Sequence, residues 1–437
     1  MGHNLWTLTE RPLMIEHPQS QALYNEVHAR PPEPMQSPLV ISHVVMWVDR
    51  DSAQASRAHL SRLLLDHHLP APDDHTNHVR VDFGAFRLRW ELHTEFVSWT
   101  FIRPVSDPAM AMVQPMTAVQ AVPQAWLAQL PGACLARLHV WLLAASRVDI
   151  HTVLPHVLHE DTLVASTVAE GHGEVYTDFQ LHPDGYSRVL LMTGSLSPRR
   201  QGRLVQQLLE IETYRMAASL GLPAAREASQ VLADAERELA ALAQAIRSAA
   251  RADEAGLLDR LTRLAGEVEG QYAATHSRFS ATRAYFELVD RRIRDIAESR
   301  MPGMQTIGEF MERRLSPARS TCDWAARRQT ALSERVSRMS NLLRTRVDFE
   351  QQLSSQQLLA TMNQRQDLQL KLQSTVEGLS VAAITYYFTG LVSYLAKGAQ
   401  LVGWPFAADL TAACALPFVG LLVWWFMRRL HNKVFKK

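Results

Sequence analysis

A chain of 437 residues is long enough for two or three domains with a sizeable core, and its formal net charge of +1 conceals a strong asymmetry. Residues 1–200 carry 14 Arg, no Lys and 20 Asp plus Glu, a net of −6, whereas residues 201–437 carry 31 Lys plus Arg against 24 acids, a net of +7. The acidic half also holds 16 of the 18 histidines; it suits metal binding or pH sensing, and its lack of basic surface argues against nucleic acid as a partner.

The N-terminus MGHNLWTLTERPL has neither a basic segment nor a long apolar core, so no cleaved export signal is expected. The three cysteines, Cys134, Cys322 and Cys414, lack the paired spacing of a zinc or redox motif and fit a reducing compartment. The first dense cluster of ionisable groups is NEVHARPP, with Asn25, Glu26, His28, Arg30 and Pro31. A helix from Gln21 to Arg30 explains much of it: Pro31 ends the helix, Glu26 and Arg30 are four apart in the favourable order, and His28 and Arg30 suit the negative end of the dipole. In a docking reading Arg30 bridges to an acid elsewhere in the domain or in a neighbouring subunit. An enzyme reading makes Glu26 or His28 a general base and Arg30 an anion clamp.

Next come a strand, Leu39 to Val48, and a helix, Asp51 to Leu69. The run DHHLPAPDDHTNH follows, with Asp66, His67, His68, Asp73, Asp74, His75 and His78 as potential ligands for a divalent metal ion. Pro70 and Pro72 place it in a loop, where polar residues are expected in any case. Phe86 to Phe101 alternates like two antiparallel strands turning near His93 and Thr94, Ala133 to Leu143 is a further apolar run, and Val164 to Met192 has the Gly and Asp-Gly punctuation of a meander. A second polar group, His151, His156, His159, Glu160 and Asp161, lacks the HExxH order of a catalytic zinc site. Gly171 and Gly173 precede no helix, and neither a Walker pattern nor GxSxG is present, so no enzyme is expected.

Residues 1–196 therefore read as a cytoplasmic α/β domain, and the whole chain as an α+β domain followed by a long α-helical stalk and two C-terminal transmembrane helices. Ser197 and Pro198 start a helical pattern, broken at Gly221 to Pro223 and again at Met301 to Gly303, that makes 197–316 a helical hairpin region. Residues 317–378 form the stalk and 379–437 the membrane hairpin with its basic tail. A single helix from Ala318 to Ala396 would be on the order of 120 Å long at 1.5 Å per residue. Its polar cytoplasmic part needs partner helices, from residues 200–300 or from further copies of the chain.

Leu379 to Leu395 is uncharged, and Phe406 to Met427 carries only Asp409, so each is apolar enough to span a bilayer. Basic residues flank both outer ends, Arg365 and Lys371 before and Arg428, Arg429, Lys433, Lys436 and Lys437 after, while the connection carries one Lys, Lys397. The N-terminal domain and the tail are thus expected in the cytoplasm, at the inner membrane, with the loop outside. In the first span Thr385, Thr389 and Ser393 share a stripe with Gly378, Ala382 and Ala396, opposite Tyr387 and Leu391. Such a stripe is a pore lining or a close-packing seam, and either implies self-association or tight pairing. Lys397 and Asp409 are an ion pair across the loop or two wet interfacial charges.

NEVHARPP, MQTIGEFMERRLSP (304–317) and VEGLSVAAITYYFTGLVSYLAK (376–397) resemble an uncharacterised bacterial family of membrane-anchored proteins, which implies the architecture and no activity. In layout alone the chain resembles the CorA-type magnesium channels, which are pentamers. Where that family has Gly-Met-Asn, however, this chain has Tyr394, Leu395, Ala396, Lys397 and Gly398, and a lysine there repels divalent cations. The resemblance implies a homo-oligomeric ion channel, transporter or derivative; a non-transporting anchored sensor or scaffold is the alternative.

Overall fold

The computed structural model describes residues 17, 19, 20, 24, 31–106, 115–248, 253–401, 403 and 405–434. Its residues fall into two units, Met1–Ser248 with Asp259–Arg338, and Ala249–Leu258 with Met339–Lys437.

In the first unit the alternating segments form the strands β1 (Leu39–Trp47), β2 (His78–Asp82), β3 (Arg87–Leu92), β4 (Phe96–Pro104), β5 (Ala133–Ala144), β6 (Val164–Val168), β7 (Gly173–Thr177), β8 (Ser187–Thr193) and β9 (Ser299–Arg300). They make one mixed sheet in the order β2-β3-β4-β1-β5-β8-β7-β6-β9, with β5 and β8 the parallel pair. Helix α1 (Arg50–Asp66) starts on a reciprocal cap, the Asp49 carboxylate accepting from Ser52 N–H while the Ser52 hydroxyl takes the Asp49 N–H. Its Leu60, Leu63 and Leu64 bury one sheet face together with Val40, Val44, Trp90, Trp99 and Phe101. A short helix α2 (Gln124–Leu127) and α3 (Ile150–Val157) complete that layer.

The other face is covered by α4 (Pro198–Ser219), whose Leu204, Val205, Leu208 and Leu209 pack on Ile41, Ile102, Leu138, Val140 and Leu142. Chain segment 31–38 lies beside α4: Met35 N–H donates to Pro198 O at 2.9 Å and Ser37 N–H to Gln201 Oε1 at 3.1 Å. A Cβ on Gly202 would collide with Glu33 O, so only glycine admits this approach.

Helix α5 (Gly221–Ser248), the part of α6 (Glu254–Asp295) from Asp259 onward, and α7 (Ile307–Gln400) up to Arg338 pack through Ala225, Ala228, Phe279, Cys322 and Ala325. Arg328 clamps Glu236 with two hydrogen bonds, at 2.8 and 2.6 Å. This part of the long helix thus finds its partners within its own chain. The helix starts at Ile307, ahead of Ala318, and passes through Pro317. The reason lies at its N-terminus. Thr306 and Glu309 form a reciprocal cap, Glu298 Oε2 and Oε1 accept from Ile307 and Gly308 N–H, and Met311 is buried in the core, which together offset the roughly 3 kcal/mol penalty of an interior proline.

In the second unit Arg346 pairs with Glu254 at 2.5 Å, and residues 351–370 are exposed throughout. The last helix, α8 (Ala408–Val434), returns beside the end of α7.

Candidate functional site

Two helices are long and apolar enough to cross a membrane, α7 near its end and Ala408–Arg429 of α8. No charged residue lies between Glu377 and Lys397 or between Asp409 and Arg428, stretches of about 30 and 29 Å at 1.5 Å per residue, each matching a hydrocarbon layer. Cations sit over aromatic rings near their ends: Lys397 over Tyr394 at 5.9 Å, Arg428 over Trp424 and Arg429 over Trp425, both at 5.0 Å. Thr385, Thr389 and Ser393 are half-buried, whereas Tyr386, Tyr387, Tyr394 and Leu395 are exposed. The Thr385 methyl lies 3.6 Å from where a Cβ on Gly420 of α8 would be, so at this position the small-residue side of α7 meets a glycine of the same chain, while Gly378 and Ala382 are exposed. The Thr385 and Thr389 hydroxyls donate to Val381 O and Thr385 O, at 2.7 and 2.8 Å. Asp409 is exposed.

A second feature lies on the α4 side of the sheet. Register aligns His43, Thr100 and Arg89 in one row across β1, β4 and β3, with Ser98 and Glu91 in the next. Alternation sends Leu88 and Trp90 to the opposite, apolar face, so β3 turns Arg87, Arg89 and Glu91 toward the helices. There α4 roofs a recess of about 240 Å³ that is lined by His43, Arg89, Glu91, Gln206 and Glu210, among others. Arg89 is 4 % exposed and Glu91 7 %; the Arg89 Nε to Glu91 Oε2 separation is 3.4 Å.

The tautomer of His43 follows from its neighbours. Thr213 donates its hydroxyl to Leu209 O at 2.8 Å, so its oxygen accepts from His43 Nε2–H at 3.1 Å, and His43 Nδ1 accepts from Thr100 at 2.8 Å. His43 is neutral: burial, then the charges of Arg89 and His93, lower its pKa to about 3. On the opposite face the Ser42 oxygen accepts from Ala118 and Val119 N–H at 3.1 and 3.3 Å, so its proton goes to His139 Nδ1 at 2.8 Å. His139 stacks on Tyr186, with ring centres 3.9 Å apart, and burial lowers its pKa to about 3. Asp184 stands 4.0 Å from its Nε2, but Ser42 is fully buried with its oxygen already engaged, which leaves no nucleophile there.

Among the described residues, one group offers three potential metal ligands within 4.8 Å of one another: His159, Asp178 and His182. Asp178 Oδ2 accepts from His159 N–H at 3.0 Å and bonds His159 Nδ1 at 3.0 Å and His182 Nε2 at 2.8 Å, and the rings stack at 4.5 Å. His159 was visible in the sequence; Asp178 and His182 were not, because a turn after β7 brings them back. Asp149 caps α3 by accepting from the His151 N–H, and His156 and Glu160 are exposed, as is Asp161. Asp66, the last residue of α1, and His67, His68, Asp73, Asp74 and His75 in the loop after it are exposed, and His78 is half-buried at the start of β2. Asp73 Oδ1 is used by His75 N–H and the Thr76 hydroxyl, and His67 packs edge-on to Phe83. Asn25, Glu26, His28 and Arg30 lie outside the described residues; the carbonyl of Pro31 accepts from Arg80, and Glu33 two residues on pairs with Arg87.

The fold is thus a mixed α/β sheet unit continued by long helices, the last two apolar enough to span a membrane. The chain belongs to the family described as Protein of unknown function (DUF3422), which it matches over residues 15–434. No curated protein and no solved structure matches it.

Proposed function

We propose that the protein is a membrane-anchored, non-transporting sensor or scaffold of the inner membrane, held by the α7–α8 hairpin with its α/β unit and basic tail in the cytoplasm. The observation that carries this reading is the use of the small-residue face of α7. Thr385 is set against Gly420 of the same chain, which closes that position against an open path, and Tyr386, Tyr387, Leu391, Tyr394 and Leu395 are turned outward. An ion path needs a row of polar groups free to replace a hydration shell. The basic flanks set the orientation. Leu353, Leu358, Leu359 and Met362 are exposed on a glutamine-rich stretch of helix that is marginal alone, which favours a homo-oligomer joined there.

The test is cation flux into liposomes holding the purified protein. No flux of magnesium, zinc, nickel or cobalt above that of empty liposomes is expected; flux that changes in Thr389→Leu would return the protein to the transporters that its layout resembles.

A further inference from the structure

The recess under α4 contains two orphan polar atoms of opposite kind. Among the described residues, Arg89 Nε and Gln206 Oε1 are buried without a hydrogen-bond partner. Gln206 spends its amide nitrogen on Glu210 Oε1 at 2.9 Å, which fixes its oxygen as the atom left over. Glu210 is itself tied to Arg292, and the His43 nitrogens are both used. Arg89 Nε stands 3.4 Å from Glu91 Oε2, an ion pair outside hydrogen-bond geometry, so the recess holds a donor paired by charge alone and one acceptor lacking a donor.

Neither is what stability would select. Burying an Arg–Glu pair strips both ions of their hydration, and well-packed apolar residues in its place are often neutral or stabilising. Nearly all buried polar groups in native proteins are satisfied, so a guanidinium Nε held by charge alone and an amide oxygen without a donor, in one recess, mark a place for a molecule that completes both. The volume, about 240 Å³, falls below the roughly 300–1,000 Å³ typical of sites for drug-sized ligands. Charge narrows the choice further. Arg89 and Glu91 cancel, so a bare anion would leave the buried site with an excess negative charge, and a molecule bearing both signs would not.

We infer that this recess binds a small zwitterion of amino-acid size, its carboxylate held by the Arg89 guanidinium and its ammonium donating to Gln206 Oε1 and Glu91. Arg89 supplies the planar fork that matches a carboxylate. His43, neutral and bonded at both nitrogens, holds the floor rigid beneath it. The site lies wholly in the first unit and does not depend on the membrane reading.

The test is calorimetric titration of the purified full-length protein in detergent with each proteinogenic amino acid and γ-aminobutyrate, against propionate, propylamine and inorganic phosphate. At least one zwitterion is expected to bind, with propionate and propylamine weaker by about tenfold or more. Gln206→Met and Arg89→Lys should each weaken it by about tenfold while the thermal transition stays in place. Should Arg89→Lys fail to fold, Gln206→Met, at a half-buried helix position, decides. The inference is overturned if no amino acid binds, if propionate or phosphate binds as tightly as the best zwitterion, or if Gln206→Met binds unchanged.

Discussion

Of the four buried histidines among the described residues, His43 and His139 make the protein's stability most sensitive to acid. Both have folded-state pKa values near 3, against about 6.5 in an unfolded chain. Below pH 6.5 the unfolded state binds protons that the folded state refuses. Their contribution is therefore complete above that pH and is lost as pH falls from 6.5 toward 3, at up to about 1.4 kcal/mol per pH unit for each histidine. Urea titrations of the purified protein at pH 7.5 and 5.5 should show the first unit less stable at the lower pH, and His139→Gln should reduce the difference. An equal midpoint at both values would mean that these rings are solvated or charged in the folded state. At this scale the sequence was only partly legible. The alternation of Arg87, Arg89 and Glu91 with Leu88, Trp90 and Leu92 announced a polar face, but a polar strand face ordinarily meets water. Nothing local says that a helix more than a hundred residues later roofs it.

Elements were read more readily than sites. The strands β1, β3, β4 and β5 and the helices α1 and α4 fall close to the runs that their periodicity marks, because alternation and capping are local properties. The start of α7 was displaced because a proline is a local signal, whereas Glu298 and Ser166 come from elsewhere in the fold: the Ser166 hydroxyl donates to Glu298 Oε2 at 2.8 Å, and that carboxylate caps the helix. Glu298→Ala should orphan the Ile307 and Gly308 N–H groups and cost about 1–3 kcal/mol, seen as a lower urea midpoint. An unchanged midpoint would show that water replaces the carboxylate. For the hairpin, disulfide formation needs Cβ atoms within about 3.5–4.5 Å. With the native cysteines replaced by alanine, the pair Thr385→Cys and Gly420→Cys should oxidise within one chain. A disulfide-linked dimer on a non-reducing gel would place that face between copies and favour a pore.

At the scale of the whole molecule, the division of charge fits a division of labour. The lysine-free acidic half builds most of the sheet, and the basic excess lies in the helical half, including both outer flanks of the apolar hairpin. The two apolar helices were legible because bilayer thickness acts on composition rather than on tertiary contacts. The recess was not, since it is assembled from β1, β3, β4 and α4, nor was the group His159, Asp178 and His182, which comes from two separate segments.

Labelling of single cysteines by a membrane-impermeant maleimide in intact cells tests the anchored topology most directly. In a chain without its native cysteines, Ala399→Cys in the connection should be labelled from outside and Asn432→Cys in the tail should react only after the cells are opened. Labelling of the tail in intact cells, or recovery of the protein in the soluble fraction, would contradict a hairpin threaded through the membrane from the cytoplasmic side.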